Sequence, residues 1–157
     1  MDALQKAEQM GREIANAGMT LLTGATTGTP YWAAKGAYAE NGLVLGYSPA
    51  ASESAHSKSY RLPIDYHHDI AFTGLGYAGR NWLLTRAADA VVIICGRLGT
   101  LNEFTIAFED NKPIGVLEST GGTADFIREV IERGQRGPGR VVYADEPAAL
   151  LRLLMDE

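Results

Sequence analysis

A single cysteine in 157 residues, Cys95, leaves this chain without an internal disulfide, and a reducing cytoplasm is the compartment that fits. No apolar run approaches the roughly 18 residues needed to span a bilayer, and no basic stretch followed by an apolar one marks a leader. A basic face is missing as well: a net charge of -5 and a pI of about 5.2 argue against nucleic acid or a membrane surface as partner. His56, His67 and His68 do not match a metal-ligand spacing, because adjacent residues of a strand point to opposite sides, so no metal is expected. Neither a Walker A sequence nor G-x-S-x-G occurs, and there is no internal repeat, low-complexity segment or linker. These absences leave one cytoplasmic globular domain over residues 1–157, ordinary in its 46% hydrophobic and 21% charged content.

What is present is alternation. Helical periodicity covers 3–17, with Leu4, Ala7, Met10, Ile14 and Ala15 on one face and Gly18 as its stop. Short apolar runs at 19–23, 43–46, 70–73, 90–95, 113–117 and 140–143 read as strands. Helical patterns follow them at 29–40 (with Pro30 in the first turn), 79–88, 100–110, 123–133 and 146–155. Strands alternating with helices predict a Rossmann-like, doubly wound α/β fold with a mostly parallel sheet. A polar loop over 48–63 is the longest irregular stretch. Doubly wound domains usually start with a strand, and this one starts with a helix.

The richest stretch is Ala90-Val91-Val92-Ile93-Ile94 followed by Cys95-Gly96-Arg97-Leu98-Gly99-Thr100-Leu101-Asn102-Glu103. A β-branched strand running into a glycine turn and a helix offers unpaired N–H groups and a positive dipole end to an anion. Thr100 is expected to open that helix. Two readings of Glu103 then stand: it closes a capping box on Thr100, or it works as a carboxylate beside a phosphate site. Its place off the apolar stripe of Leu101, Phe104 and Phe108 favours the second. Gly74-Leu75-Gly76-Tyr77-Ala78-Gly79 matches G-x-G-x-x-G, but the next strand ends in Cys95-Gly96-Arg97 and lacks the acid that a nicotinamide dinucleotide site requires. A phosphate or ribose contact by this loop stays open. Arg80 opens the following helix against its dipole, which calls for an anionic partner: a surface carboxylate, Glu103 or a ligand phosphate. Arg86 is expected to form a salt bridge near Asp89, the alternative being that it faces the same cleft. The turn Gly24-Ala25-Thr26-Thr27-Gly28-Thr29-Pro30 offers further amides and hydroxyls, or is a tight connection. Tyr31 and Trp32 flank a base or belong to the core, and Cys95 reads as a small core residue.

Together these residues resemble the LOG (lonely guy, formerly "lysine decarboxylase-like") family of the SLOG superfamily, from about residue 3 to the C-terminus. That family's P-G-G-x-G-T-x-x-E aligns with Cys95–Glu103, and its R-K-x-x-M helix with Arg80-Asn81-Trp82-Leu83-Leu84. Ser48-Pro49-Ala50, His56 and Phe72 through Asn81 are more similar to a bacterial subgroup near the molybdenum cofactor carrier proteins. The resemblance implies a homodimer or homotetramer and a nucleotide pocket at the strand C-termini. Gly24, Gly28, Gly74, Gly76, Gly79, Gly96, Arg97, Gly99 and Thr100 would line that pocket. It implies Arg80 and Glu103 as the catalytic pair of a nucleoside 5′-monophosphate phosphoribohydrolase, which cuts the N-glycosidic bond as in cytokinin activation. The alternative is a non-enzymatic carrier of molybdenum cofactor or a nucleotide sensor. No cofactor is required; the ligand would be a nucleotide or a pterin phosphate such as molybdopterin. Cys95 and Arg97 replace the signature's proline and second glycine, and Asn81 its lysine; the cation at 97 favours a more highly charged ligand. The family's first strand has no counterpart here. Lysine decarboxylation is rejected, because neither Lys35 nor Lys112 sits in a context suited to pyridoxal phosphate.

Overall fold

Helices and strands alternate through residues 2–157, which a computed structural model of the chain describes. The order is α1 (Ala3–Asn16), β1 (Leu21–Thr23), α2 (Thr29–Ala39), β2 (Val44–Ser48), β3 (Asp69–Phe72), α3 (Gly76–Ala87) and β4 (Val91–Ile94), followed by α4 (Leu98–Glu109), β5 (Ile114–Leu117), α5 (Ile127–Gly134), β6 (Val141–Ala144) and α6 (Pro147–Met155). Two irregular turns break the 48–63 loop and the entry to α5: a π-helical turn at Ala55–Ser59 and a 3-10 turn at Gly122–Phe126. No described helix is long and apolar enough to cross a membrane.

Local chemistry sets the ends of α1. Asp2 and Gln5 form a reciprocal capping box, with the Gln5 N–H on Asp2 Oδ1 at 2.8 Å and the Asp2 N–H on Gln5 Oε1 at 3.0 Å. At the other end Gly18 is left-handed, and Met19 donates back to the Ile14 carbonyl at 3.1 Å.

Every strand pair is parallel, as the alternation predicts, but the pairing falls into two triplets, β1-β2-β3 and β4-β5-β6. β1 and β4 share no ladder. The triplets are tied together by side chains. Ala7, Met10 and Ile14 of α1 form one cluster with Ile94, Leu117, Leu150 and Leu151, against which Leu21, Trp32 and Val92 pack. The alternate residues of β4 and β5, Ile93, Ile114 and Val116, face the opposite side and meet Phe104 and Ala107 of α4 and Ile127 of α5. Buried Lys6, in the first turn of α1, donates to the Asp145 carbonyl at 2.6 Å and so locks that helix end over the carboxyl ends of the strands.

α1 and α2 touch backbone to backbone. A Cβ at Gly11 would collide with the Ala33 carbonyl, and one at Gly36 with the Glu8 carbonyl. Gly11→Ala gains about 1 kcal/mol of helix propensity, but the rigid carbonyl forces the helices apart and overpacking outweighs that gain. The expected net loss is about 2 kcal/mol, read as a lower urea midpoint with an unchanged slope; an unchanged midpoint would show that the helices separate freely.

Candidate functional site

The turn after β4 is built to present amides. Cys95 and Gly96 are both left-handed, with φ 51° and 88°. A side chain at 96 would run into Thr100, so glycine is required there on two counts. The turn's carbonyls are taken from behind by the segment after β5: Cys95 O accepts from the Ala124 N–H at 2.9 Å, and Gly96 O from the Thr123 N–H at 3.0 Å. Arg97 O accepts from the Thr123 hydroxyl at 2.8 Å, and the Cys95 N–H donates to Thr120 Oγ1, also at 2.8 Å. With the carbonyls held in this way, the N–H groups of Gly96 through Thr100 meet no acceptor among the described residues. This is an amide nest on the N-terminus of a twelve-residue helix, an arrangement that suits an anion. The capture of Thr123 and Ala124 also explains why α5 begins at Ile127 rather than at the predicted 123.

Two expectations at this turn are corrected. α4 begins at Leu98 with Arg97 at its N-cap, so Thr100 lies inside the helix and no capping box with Glu103 forms. The extended backbone of Arg97, φ -131°, is what moves the start forward. Cys95 is not a core residue; it is partly exposed at the lip of the turn.

Arg80 and Glu103 face each other across α3 and α4. Because α3 begins at Gly76, Arg80 falls in its second turn rather than at its opening. Only 5% of its surface is exposed. Its partner is no surface carboxylate: Nη1 donates to the Gly24 carbonyl and to the Tyr47 carbonyl at 3.0 Å, and Nε to Asn81 Oδ1 at 3.1 Å. Arg80 thereby pins the turn after β1 to the carboxyl end of β2. Burial lowers its guanidinium below the ordinary arginine value, opposed by the charge of Glu103. Burial likewise pushes the Glu103 carboxyl above the usual carboxylate range, and Arg80 pulls it only part of the way back. The two feel each other's charge, yet among the described residues they form no ion pair, and Glu103 has no hydrogen-bond partner. A half-buried acid without a partner, beside an amide nest, is free to meet a ligand.

The remaining predicted residues separate into two groups. Gly24 and Gly28 flank a turn that reaches β4, where Thr29 Oγ1 donates to the Ile94 carbonyl at 3.5 Å. Gly99 lies beside Asn81, and Arg97 is exposed with no acidic partner among the described residues. Gly74 and Gly76, however, do not offer their amides to a phosphate. Their N–H groups donate to the Ala50 and Pro49 carbonyls at 2.9 and 3.1 Å, which leaves them holding the 48–63 loop against α3. Gly79 lies in the first turn of α3, packed against Leu75.

The histidines are occupied locally. His56 bridges Ser48 Oγ at 2.7 Å and the Pro63 carbonyl at 2.9 Å, His67 sits on Thr23 Oγ1 at 2.7 Å, and His68 accepts from the Val44 N–H at 3.2 Å. Arg86 pairs with Asp110 at 3.0 Å instead of Asp89, since the facing helix end lies closer than its own. Trp32 packs on the core and Tyr31 on Tyr66.

Asn81 stood out only as a departure from the signature, and the motifs gave no sign that its side chain joins α3 to α4 through Asn102 (Nδ2 to Oδ1, 3.1 Å), or of Thr120 and Thr123, which shape the nest. An open cavity of about 710 Å³ lies elsewhere, at the carboxyl ends of β5 and β6 between Glu118, Arg128 and Tyr143, and includes neither Arg80 nor Glu103.

Parallel strands wound by helices on both faces, with an amide nest and an Arg–Glu couple at their carboxyl ends, define a Rossmann-like α/β domain. The chain belongs to the SLOG cluster4 family, whose model matches residues 1–151. It is similar to the molybdenum cofactor binding protein of Rippkaea orientalis, at 28% identity and a TM-score of 0.82, over 98% of this chain and 86% of that one. It is also similar to the molybdenum cofactor carrier protein of Chlamydomonas reinhardtii, at 26% identity and a TM-score of 0.75, over 99% and 89%. An uncharacterized protein of Archaeoglobus fulgidus is 29% identical over 112 residues, which is 71% of this chain and 68% of that one.

Proposed function

We propose that this protein binds a phosphorylated heteroaromatic small molecule, a pterin phosphate of the molybdenum cofactor type or a nucleotide such as AMP. The observation that carries this reading is the row of amides from Gly96 to Thr100 without acceptors, set beside the unpaired Arg97. Gly99 and Thr100 belong to that cradle, while Gly24, Gly28, Gly74, Gly76 and Gly79 shape the walls around it. The likeness to the Rippkaea and Chlamydomonas proteins supports a pterin phosphate as cargo.

Glu103 favours a second reading, hydrolysis of the N-glycosidic bond of a nucleoside 5′-monophosphate. In that reaction water adds to the anomeric carbon as the base leaves, giving free base and ribose 5-phosphate. The Glu103 carboxylate would stabilise oxocarbenium character and orient the water. Arg80 acts as a positioning residue that holds the walls and sets the charge around Glu103.

Calorimetric titration with AMP and with a pterin phosphate tests the first reading. Binding is expected, weakened about tenfold by Arg97→Ala, the effect of one charge-assisted contact. No binding of either compound, or of ribose 5-phosphate, overturns it. Chromatography of the AMP incubation tests the second: adenine released by the wild type and not by Glu103→Ala assigns the hydrolase, whereas binding without release leaves the carrier.

A further inference from the structure

We infer that Tyr77, braced by Tyr60, is the wall against which the ligand's planar ring packs, so that the site selects phosphorylated heteroaromatics over bare sugar phosphates. The inference rests on the ligand reading above and deepens it.

Tyr77 lies in the first turn of α3, three residues before Arg80 and so on the same side of the helix. Its ring centre is 5.6 Å from the Arg80 guanidinium carbon, the buried cation whose charge reaches Glu103. Despite that inward neighbour, 52% of Tyr77 is exposed. Tyr60 meets it at 5.7 Å with the ring planes 71° apart. Tyr60 is itself fixed: it closes the π-helical turn that buried His56 ties to Ser48, and its N–H donates to the Ala55 carbonyl at 2.9 Å. The rim thus offers a rigid aromatic surface, with the exposed Leu75 and Leu98 at the N-termini of α3 and α4. Aromatic rings fixed beside a cation, on a helix that Asn81 joins to the helix carrying the amide nest, suit a molecule that is flat at one end and anionic at the other. A sugar phosphate would use the nest alone.

The test compares wild type, Tyr77→Phe and Tyr77→Ala by calorimetric titration with AMP and with ribose 5-phosphate, and follows their masses by sedimentation. Tyr77→Ala is expected to weaken AMP by about tenfold or more, the usual effect of removing one base-stacking aromatic. Tyr77→Phe should keep AMP affinity, and all three proteins should bind ribose 5-phosphate equally, which also shows that each is folded. Equal losses for AMP and ribose 5-phosphate overturn the inference, as does an unchanged AMP affinity in Tyr77→Ala. A fall in mass on Tyr77→Ala without a selective loss of AMP would assign the face to a second copy of the chain and overturn it too. If wild type binds neither compound, the ligand reading itself falls and takes this inference with it.

Discussion

Arg80→Ala is expected to lower folding stability by about 3 kcal/mol and to abolish ligand binding along with it. The side chain is buried, and its donors satisfy carbonyls in two separate segments, those of Gly24 in the turn after β1 and of Tyr47 at the end of β2. Each buried carbonyl left without a donor costs about 1–3 kcal/mol, and truncation leaves a cavity besides. Release of a desolvated cation offsets part of the loss, which keeps the net below the sum. Urea titration measures the effect. Arg80→Lys should fall between, because one ammonium on a flexible stem cannot reproduce a fork that serves Gly24, Tyr47 and Asn81 together. If Arg80 were only a ligand contact, Arg80→Ala would unfold at the wild-type midpoint and lose binding alone. A stability change under about 0.5 kcal/mol, the usual scale of a surface substitution, would therefore remove the pinning role.

That role was not legible from sequence, and the reason is physical. The alternation of strands and helices was readable because each element's apolar residues repeat with its own period, and the structure places Val91–Ile94, Ile114–Leu117 and Val141–Ala144 in parallel register as expected. The chemistry around those elements depends on partners far away in the chain. Arg80 reaches Gly24 across 56 residues, and Thr123 reaches Arg97 across 26. The G-x-G-x-x-G pattern was visible, and so was Ser48-Pro49-Ala50, but nothing in either showed that the Ala50 and Pro49 carbonyls occupy two of the glycine amides. Thr100-x-x-Glu103 is the sharper case. The four residues satisfy the rule for a capping box, and the extended Arg97 backbone, held through its carbonyl by Thr123, starts the helix early and voids it. The same shift frees Glu103. Gly11 and Gly36 carried no signal either, since close approach of two helices shows only once both are placed.

Glu103→Gln is expected to move stability and chemistry in opposite directions. Glu103 is a carboxylate that burial disfavours and that no hydrogen bond or ion pair among the described residues repays. Its folded-state pKa lies above the unfolded value of about 4.3, so the unfolded chain loses this proton at lower pH than the folded one does. Above that pH the folded state holds more protons, and stability falls as pH rises through the folded pKa before levelling off. Glutamine removes the slope. The variant should therefore melt higher than wild type at pH 8, by about 2–4 °C for each kcal/mol in a chain of this size, and the gap should close towards pH 4. AMP affinity should rise, because a negative charge beside the amide nest is gone. Any adenine release should fall by about 10²–10⁴, the range for loss of a positioned acid–base group. Thermal melts at pH 4, 6 and 8, run with the AMP assay, decide it. A lower melting temperature for Glu103→Gln at pH 8 would mean that the carboxylate is held by Arg80 as a stabilising ion pair in solution. The free acid on which the hydrolytic reading depends would then not exist.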